Sequence, residues 1–236
     1  MTAALIEARA LGKSFGPTPV LRDVNLSVEA GRGAAVIGAN GAGKSTLIRL
    51  LAGLSAPSLG GALLFGEPAR WLRPALRRRV GLLSHQSFVY PNLTARENLE
   101  FYATLYGVAD ARAQAAEWLE RVALGAVADA RVRAFSRGME QRLAIARAML
   151  ARPDVLMLDE PFAALDADGA TLAAALVREA MSQGCAVLAS AHSAGALEEL
   201  GFAVLTLSRG RLMHAEPSAT RQSVARAVGA AGFVTS

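Results

Sequence analysis

The stretch GANGAGKST, residues 38–46, follows directly on the apolar run AAVI and restricts the fold more than any other part of the chain. The spacing Gly38, four residues, Gly43, Lys44, Ser45 is the one at which glycines let backbone N–H groups turn inward on a polyphosphate. Residues 46–53, TLIRLLAG, read as the helix whose N-terminus faces those phosphates. Lysine is scarce: 23 of the 25 basic residues are arginine, leaving only Lys13 and Lys44. A lysine kept here supplies a compact charge that reaches between the β- and γ-phosphates, where a planar guanidinium fits less readily. The Ser45 hydroxyl is a natural ligand for a hard Mg²⁺ ion. A strand-to-helix turn that merely contained glycines would need neither group. The loop is therefore expected to bind a nucleoside triphosphate.

The 236 residues, 53% of them hydrophobic, suffice for one large domain or a domain with an insertion. No run reaches 18 apolar residues, and the start MTAALIEARALGKSF lacks the basic head, apolar middle and cleavage site of a leader. A chain neither spanning a membrane nor exported is expected, in a reducing cytoplasm. The single cysteine, Cys185 in CAVLASA, reads as an inert buried thiol. The net charge of +5 raises nucleic acid or an anionic membrane as partners. Only Arg70, Arg73, Arg77, Arg78 and Arg79 cluster densely, without interleaved aromatic rings to stack bases. A solvated helix face is the first reading of that cluster and closeness to anionic phospholipid the second; no nucleic-acid partner is expected.

Residues 3–35 alternate apolar and polar positions, as antiparallel strands with one wet face do. The short runs AAVIG, VGLLS, VLMLDE and AVLASA then alternate with helical stretches, predicting an α/β core with a mainly parallel sheet. Residues 91–135 look helical throughout, with a capping box of Thr94 and Glu97, which implies an α-helical insertion. The segment AVLTLSRGRLMHAEP predicts a hairpin turning at Arg209 and Gly210. Residues 218–236 are expected to form a short helix or a frayed tail.

VLMLDEP, residues 155–161, delivers Asp159 and Glu160 at a strand end, where acids are costly unless employed. Asp159 suits a magnesium shell, and Glu160 can orient and deprotonate an attacking water. Two acids capping a turn is the plainer alternative. His192 follows the run CAVLASA, and strand ends on one edge of a parallel sheet gather round one crevice, so it can reach the γ-phosphate. Gln86 ends VGLLSHQ at the border of the insertion, where its amide can bind metal or water. In FSRGMEQRLAIARAML, residues 135–150, Ser136 and Gly138 precede an amphipathic helix carrying Met139, Leu143, Ala146 and Leu150 on one face. This is a second anion-ready helix start. One nucleotide hardly needs two such starts from one chain, whereas a second copy does.

The ordered set GANGAGKST, Gln86, FSRGM, VLMLDEP, AALD and His192 resembles the ATP-binding subunits of ABC transporters over residues 5–216. The resemblance implies a P-loop NTPase fold with an N-terminal antiparallel β subdomain. It places an ABC ATPase domain over residues 1–217, a helical subdomain over about 87–150 and a tail over 218–236. It also implies a homodimer in which two subunits sandwich two ATP, docked on a membrane-spanning permease at the cytoplasmic face. Carried over by position, Phe15 stacks on adenine, while Gly38, Asn40, Gly41, Ala42, Gly43, Lys44, Ser45 and Thr46 hold ATP and Mg²⁺. Ser136 and Gly138 touch the γ-phosphate across the dimer. Ser45, Gln86 and Asp159 serve the metal, Glu160, His192 and Gln86 the hydrolysis, and Asp166 links the two sites. The signature departs from the usual LSGGQ, keeping only its second and fourth positions, and phenylalanine replaces the usual tyrosine at position 15. Neither change removes a catalytic group.

The segment SHQSFVYPNLTARENLEFYATLYG together with FSRGMEQRLAIARAML looks most like the heme-exporter ATPase of the cytochrome c maturation system. Exporters of drugs, lipids or polysaccharides have similar ATPases and form the alternative. Soluble ABC ATPases of DNA repair or ribosomes carry coiled coils or a second ATPase domain for which this length has no room. A P-loop kinase leaves FSRGM and the helical insertion unexplained.

Overall fold

In the computed structural model, which describes residues 4–214, alternation of side chains builds the first layer. Strand β1 (Ala4–Phe15) turns Ile6, Ala8 and Leu11 inward and pairs antiparallel with β2 (Thr18–Glu29), which buries Leu21, Val24, Leu26 and Val28. The chain then leaves this sheet through β3 (Gly33–Ile37) and the glycine loop into α1 (Lys44–Leu51). The helix begins two residues earlier than expected, at the lysine itself. Gly53, with φ of 72°, follows its end.

Strands β4 (Leu59–Leu64) and β5 (Glu67–Pro68) return to the first sheet, giving the order β2-β1-β4-β5. Alternation in residues 3–35 does not reveal this pair, because LGGALL shows no clean period of two. A short α2 (Pro74–Arg77) leads into β6 (Val80–Leu83).

The insertion follows as α3 (Ala95–Tyr106), α4 (Ala111–Arg121) and α5 (Arg137–Met149). The expected capping box is present in full: the Glu97 N–H donates to Thr94 Oγ1 at 3.1 Å and the Thr94 N–H to Glu97 Oε2 at 2.8 Å. Residues 91–135 are not helical throughout, however. Between α4 and α5 the chain makes two single-turn 3₁₀ segments, and Thr94 bridges to Arg131. The single apolar face expected of α5 also needs correction: from Leu143 onward every residue is buried, so this half lies in the core on all sides.

Strand β7 (Val155–Asp159), α6 (Ala167–Ser182), β8 (Ala186–Ala191), α7 (Gly195–Glu199), β9 (Ala203–Ser208) and β10 (Arg211–His214) complete the chain. The second sheet runs β10-β9-β3-β8-β7-β6, parallel except for the β9–β10 hairpin. That hairpin turns where expected, at Arg209 and Gly210, whose φ angles of 50° and 76° suit a type I′ turn. Leu156 and Leu158 point into a core shared with the insertion, whereas Val155 and Met157 point into one shared with α1 and the first sheet. The second sheet is thus covered on both sides, as a parallel sheet requires. The expectation for residues 218–236 lies outside the described residues.

Candidate functional site

Parallel pairing puts the ends of β3, β8, β7 and β6 on one edge. Ile37 lies opposite Ala191 and Asp159 opposite Ser190, so the glycine loop, His192 and Glu160 emerge side by side. The loop is shaped by steric exclusion. A side chain at Gly38 would fall 2.5 Å from the Leu207 carbonyl oxygen, and Gly41 and Gly43 have φ of 76° and 107°. Gly43 is the N-cap of α1 and brings no side chain to cap it, so the first N–H groups of that helix have no side-chain acceptor there.

Lys44 is only 5% exposed and folds back over the loop. Its Nζ donates to the carbonyls of Gly38 at 2.8 Å and Ala39 at 3.2 Å, and stands 3.8 Å from Glu160 Oε1. An ammonium has three hydrogens, and this set aims the charge across the loop mouth. Ser45 is exposed, and its hydroxyl has no hydrogen-bond partner among the described residues.

The two acids are held by a residue that the sequence reading missed. Ser190, fully buried, donates its hydroxyl hydrogen to Asp159 Oδ1 at 2.5 Å and accepts the Glu160 N–H at 3.1 Å. One hydroxyl thereby fixes the Asp159 carboxylate and the Glu160 backbone together. Glu160 has a φ of 54°, a strained value for a non-glycine residue, and its Oε1 lies 3.1 Å from His192 Nε2. Lys44, Asp159, Glu160 and His192 therefore form one group.

The other candidates stand apart from it. Phe15, 57% exposed, ends β1 opposite Thr18, with Lys13 Nζ 5.0 Å from its ring centroid. A side chain at Gly43 would meet Val20 and Leu21 of β2 at 3.1 Å, so this hairpin flanks the loop. Ser136 caps α5, its Oγ accepting the Met139 N–H at 3.2 Å, and a side chain at Gly138 would come 3.2 Å from the Ala164 carbonyl oxygen. Asp166 caps α6 by accepting the Gly169 N–H at 2.8 Å. Gln86 is exposed, and its side-chain amide has no partner among the described residues.

A second missed residue connects these parts. Arg147, 4% exposed, donates to the carbonyls of Leu82 at 2.7 Å and Ser87 at 2.9 Å, while Ser87 Oγ donates to Glu140 Oε1 at 2.5 Å. The segment bearing Gln86 is thus fastened to the helix that begins at Ser136. The signal was an arginine inside the apolar run LAIARAML. A cleft of about 380 Å³ opens between these elements, lined by Ser84, His85, Arg137, Glu140, Asp159 and Glu160 among others. Cys185 lies at the opposite end of the strands, beside a cavity of about 460 Å³, and burial pushes its thiol up to about 12. The expectation of an unreactive thiol fits that environment.

A glycine loop, a buried lysine and a carboxylate–histidine pair on one edge of a parallel sheet define a nucleotide-hydrolysing α/β protein. Residues 21–163 match the family model of the ABC transporter, and the chain belongs to that family as an ATP-binding, ATP-hydrolysing subunit. It is 35% identical over 222 residues to the Nod factor export ATP-binding protein I of Paraburkholderia xenovorans, covering 93% of this chain and 73% of that protein. It is 32% identical over 209 residues to the lantibiotic transport ATP-binding protein SrtF of Streptococcus pyogenes, covering 89% of each. Among solved structures, an ATP-binding subunit of an ABC transporter superposes with a TM-score of 0.82 at 28% identity, covering 97% and 95% of the two chains. The dimeric bacterial cassette MJ0796 superposes with a TM-score of 0.80 at 25% identity, covering 88% and 96%. The same protein has also been seen as a dimer in a post-hydrolysis state bound to ADP and Pi.

Proposed function

We propose that this chain is the ATPase of an exporter, with Lys44, Glu160 and His192 at the centre of its hydrolytic site. The observation that carries the reading is the placement of Glu160 Oε1 between Lys44 Nζ and His192 Nε2, at 3.8 and 3.1 Å. In this reading the loop N–H groups and Lys44 take the phosphates. Glu160 receives a proton from the attacking water, and His192 holds the Glu160 carboxylate and the γ-phosphate in register. Phe15 offers an exposed ring face to adenine.

The donor set also suits magnesium, which prefers a few hard oxygen ligands and keeps its waters. Ser45 has a free hydroxyl at the loop and Asp159 is oriented by Ser190. Ser45, Gln86 and Asp159 would hold the ion, which when bound neutralises charge on the β- and γ-phosphates.

Ser136 and Gly138 are assigned to a partner copy's γ-phosphate, a reading supported by the lack of any contact between them and Lys44 among the described residues and by the dimeric state of MJ0796. The permease is assigned to the exposed rings beside Gln86. Phe88, Tyr90, Phe101 and Leu105 form an apolar face on the insertion, and Tyr90 and Phe101 pack edge to face. Among the described residues no helix is long and apolar enough to cross a membrane, so attachment at the cytoplasmic face would run through that docking.

The printed names of the compared relatives concern Nod factor export and lantibiotic transport. Export of a compound other than heme is therefore the cargo reading proposed. A heme-stained gel of a deletion strain checks it: c-type cytochrome bands should remain normal. Loss of those bands with b-type cytochromes intact would return the protein to heme export, the reading suggested by the resemblance of residues 84–107.

A further inference from the structure

Between β5 and β6 lies a surface that the ATPase site does not use. We propose that Arg70, Trp71, Arg77 and Arg78 rest on an anionic phospholipid headgroup surface beside the membrane subunit, an inference that builds on the transporter reading above. Trp71 is 75% exposed, more than any other large apolar side chain described, whereas the second tryptophan, Trp118, is buried. It stands at the rim of a groove of about 650 Å³ lined by Leu50, Pro57, Ala62 and Leu63, with the Arg70 guanidinium 5.2 Å from its ring centroid. An indole left in water next to an apolar groove and a cation is suited to the boundary between headgroups and acyl chains.

The charges point the same way. Arg73 pairs with Glu67 and Arg79 with Asp154. Arg70 and Arg78 meet no carboxylate among the described residues, and Arg77 turns only toward the carbonyls of Arg70 and Leu72. Three guanidinium charges are left uncompensated on one short exposed segment.

Position supplies the third argument. The strip leads into β6, the edge strand of the second sheet, and the far end of that strand runs on to Gln86 and the exposed rings assigned to the permease. A side chain at Gly107, which ends α3, would meet the Arg78 guanidinium at 3.4 Å, so the strip abuts the helix that carries Phe101 and Leu105. A membrane subunit docked on those rings brings the bilayer surface down beside the strip.

The test uses the full chain with vesicles of phosphatidylcholine alone and of phosphatidylcholine mixed with phosphatidylglycerol. Co-sedimentation should occur with the anionic vesicles only and be released by salt. Emission from Trp71 should shift to the blue on binding, and the shift should vanish in Trp71→Phe. At roughly fivefold per arginine, the triple change of Arg70, Arg77 and Arg78 to glutamine should lower the partition coefficient about a hundredfold. ATP hydrolysis in solution should be unchanged in that variant, which also shows that it is folded. Equal partition into both vesicle types, no partition, partition unchanged in the triple variant, or tighter retention by duplex DNA than by anionic vesicles would overturn the proposal. ATP-driven dimerisation of Glu160→Gln uses none of these residues, so a dimer that ignores vesicles sinks the lipid strip alone and leaves the transporter reading standing.

Discussion

At the scale of single residues, the site is a set of short-range constraints that can be removed one at a time. Lys44→Ala should lose ATP affinity and hydrolysis together. Lys44→Arg should be nearly as poor, on the order of a hundredfold down in turnover, because a planar fork cannot fit the space between the Gly38 and Ala39 carbonyls and the phosphates. Normal turnover by the arginine variant, measured by phosphate release, would refute that account of the lysine. Ser190→Ala should lower kcat with little change in KM, since it frees Asp159 and Glu160 without touching the loop. The Cys185 thiol gives a pH dependence. Its folded value is raised to about 12, so its neutral form stabilises the fold fully below the unfolded thiol value of about 8.5. That contribution is lost as pH rises from there toward 12, and Cys185→Ala should show a shallower alkaline loss of stability in urea melts. The glycines, Lys44 and the acid pair were legible in the sequence because each signal lies within a few consecutive residues. Ser190 was not, because a serine in AVLASA looks like a small strand residue until Asp159, 31 positions earlier, is placed opposite it.

At the scale of elements, caps and periodicity were readable where a signal is local. The box of Thr94 and Glu97 is one such signal, and Thr94→Ala should cost about 1 kcal/mol in a denaturant melt while leaving ATP hydrolysis near the starting rate. An unchanged midpoint would mean that packing of Leu99 and Tyr102, rather than the cap, holds the start of α3. Strand β4 escaped notice because its partner, β1, lies some fifty positions earlier and its own glycines blur the alternation, and β5, two residues long, pairs only with β4. Helix α5 was assigned one buried face because Arg142 and Arg147 resemble surface residues. Arg147 is instead enclosed, with the rings of Phe88 and Tyr102 at 5.4 and 5.6 Å and two carbonyls as its hydrogen-bond acceptors. Sequence periodicity cannot distinguish an arginine facing water from one whose hydrogen bonds are supplied by another segment.

At the scale of the whole molecule, the two sheets and the insertion place the Lys44 group and the Ser136 start on separate elements. The ordered motifs made the family legible, since each must fall on the same sheet edge or helix start for the fold to work. They did not make the cargo legible, because the motifs concern ATP and coupling. The central claim is that a second copy completes each site, and light scattering on Glu160→Gln with Mg-ATP tests it most directly. Removing the proposed base while leaving Lys44 and the loop intact should let ATP-bound pairs accumulate, giving twice the monomer mass with ATP and the monomer mass without it or when Lys44→Ala is added. A Glu160→Gln protein that binds ATP yet keeps the monomer mass at high concentration, beside a dilute wild-type monomer that hydrolyses at full rate, would contradict the account.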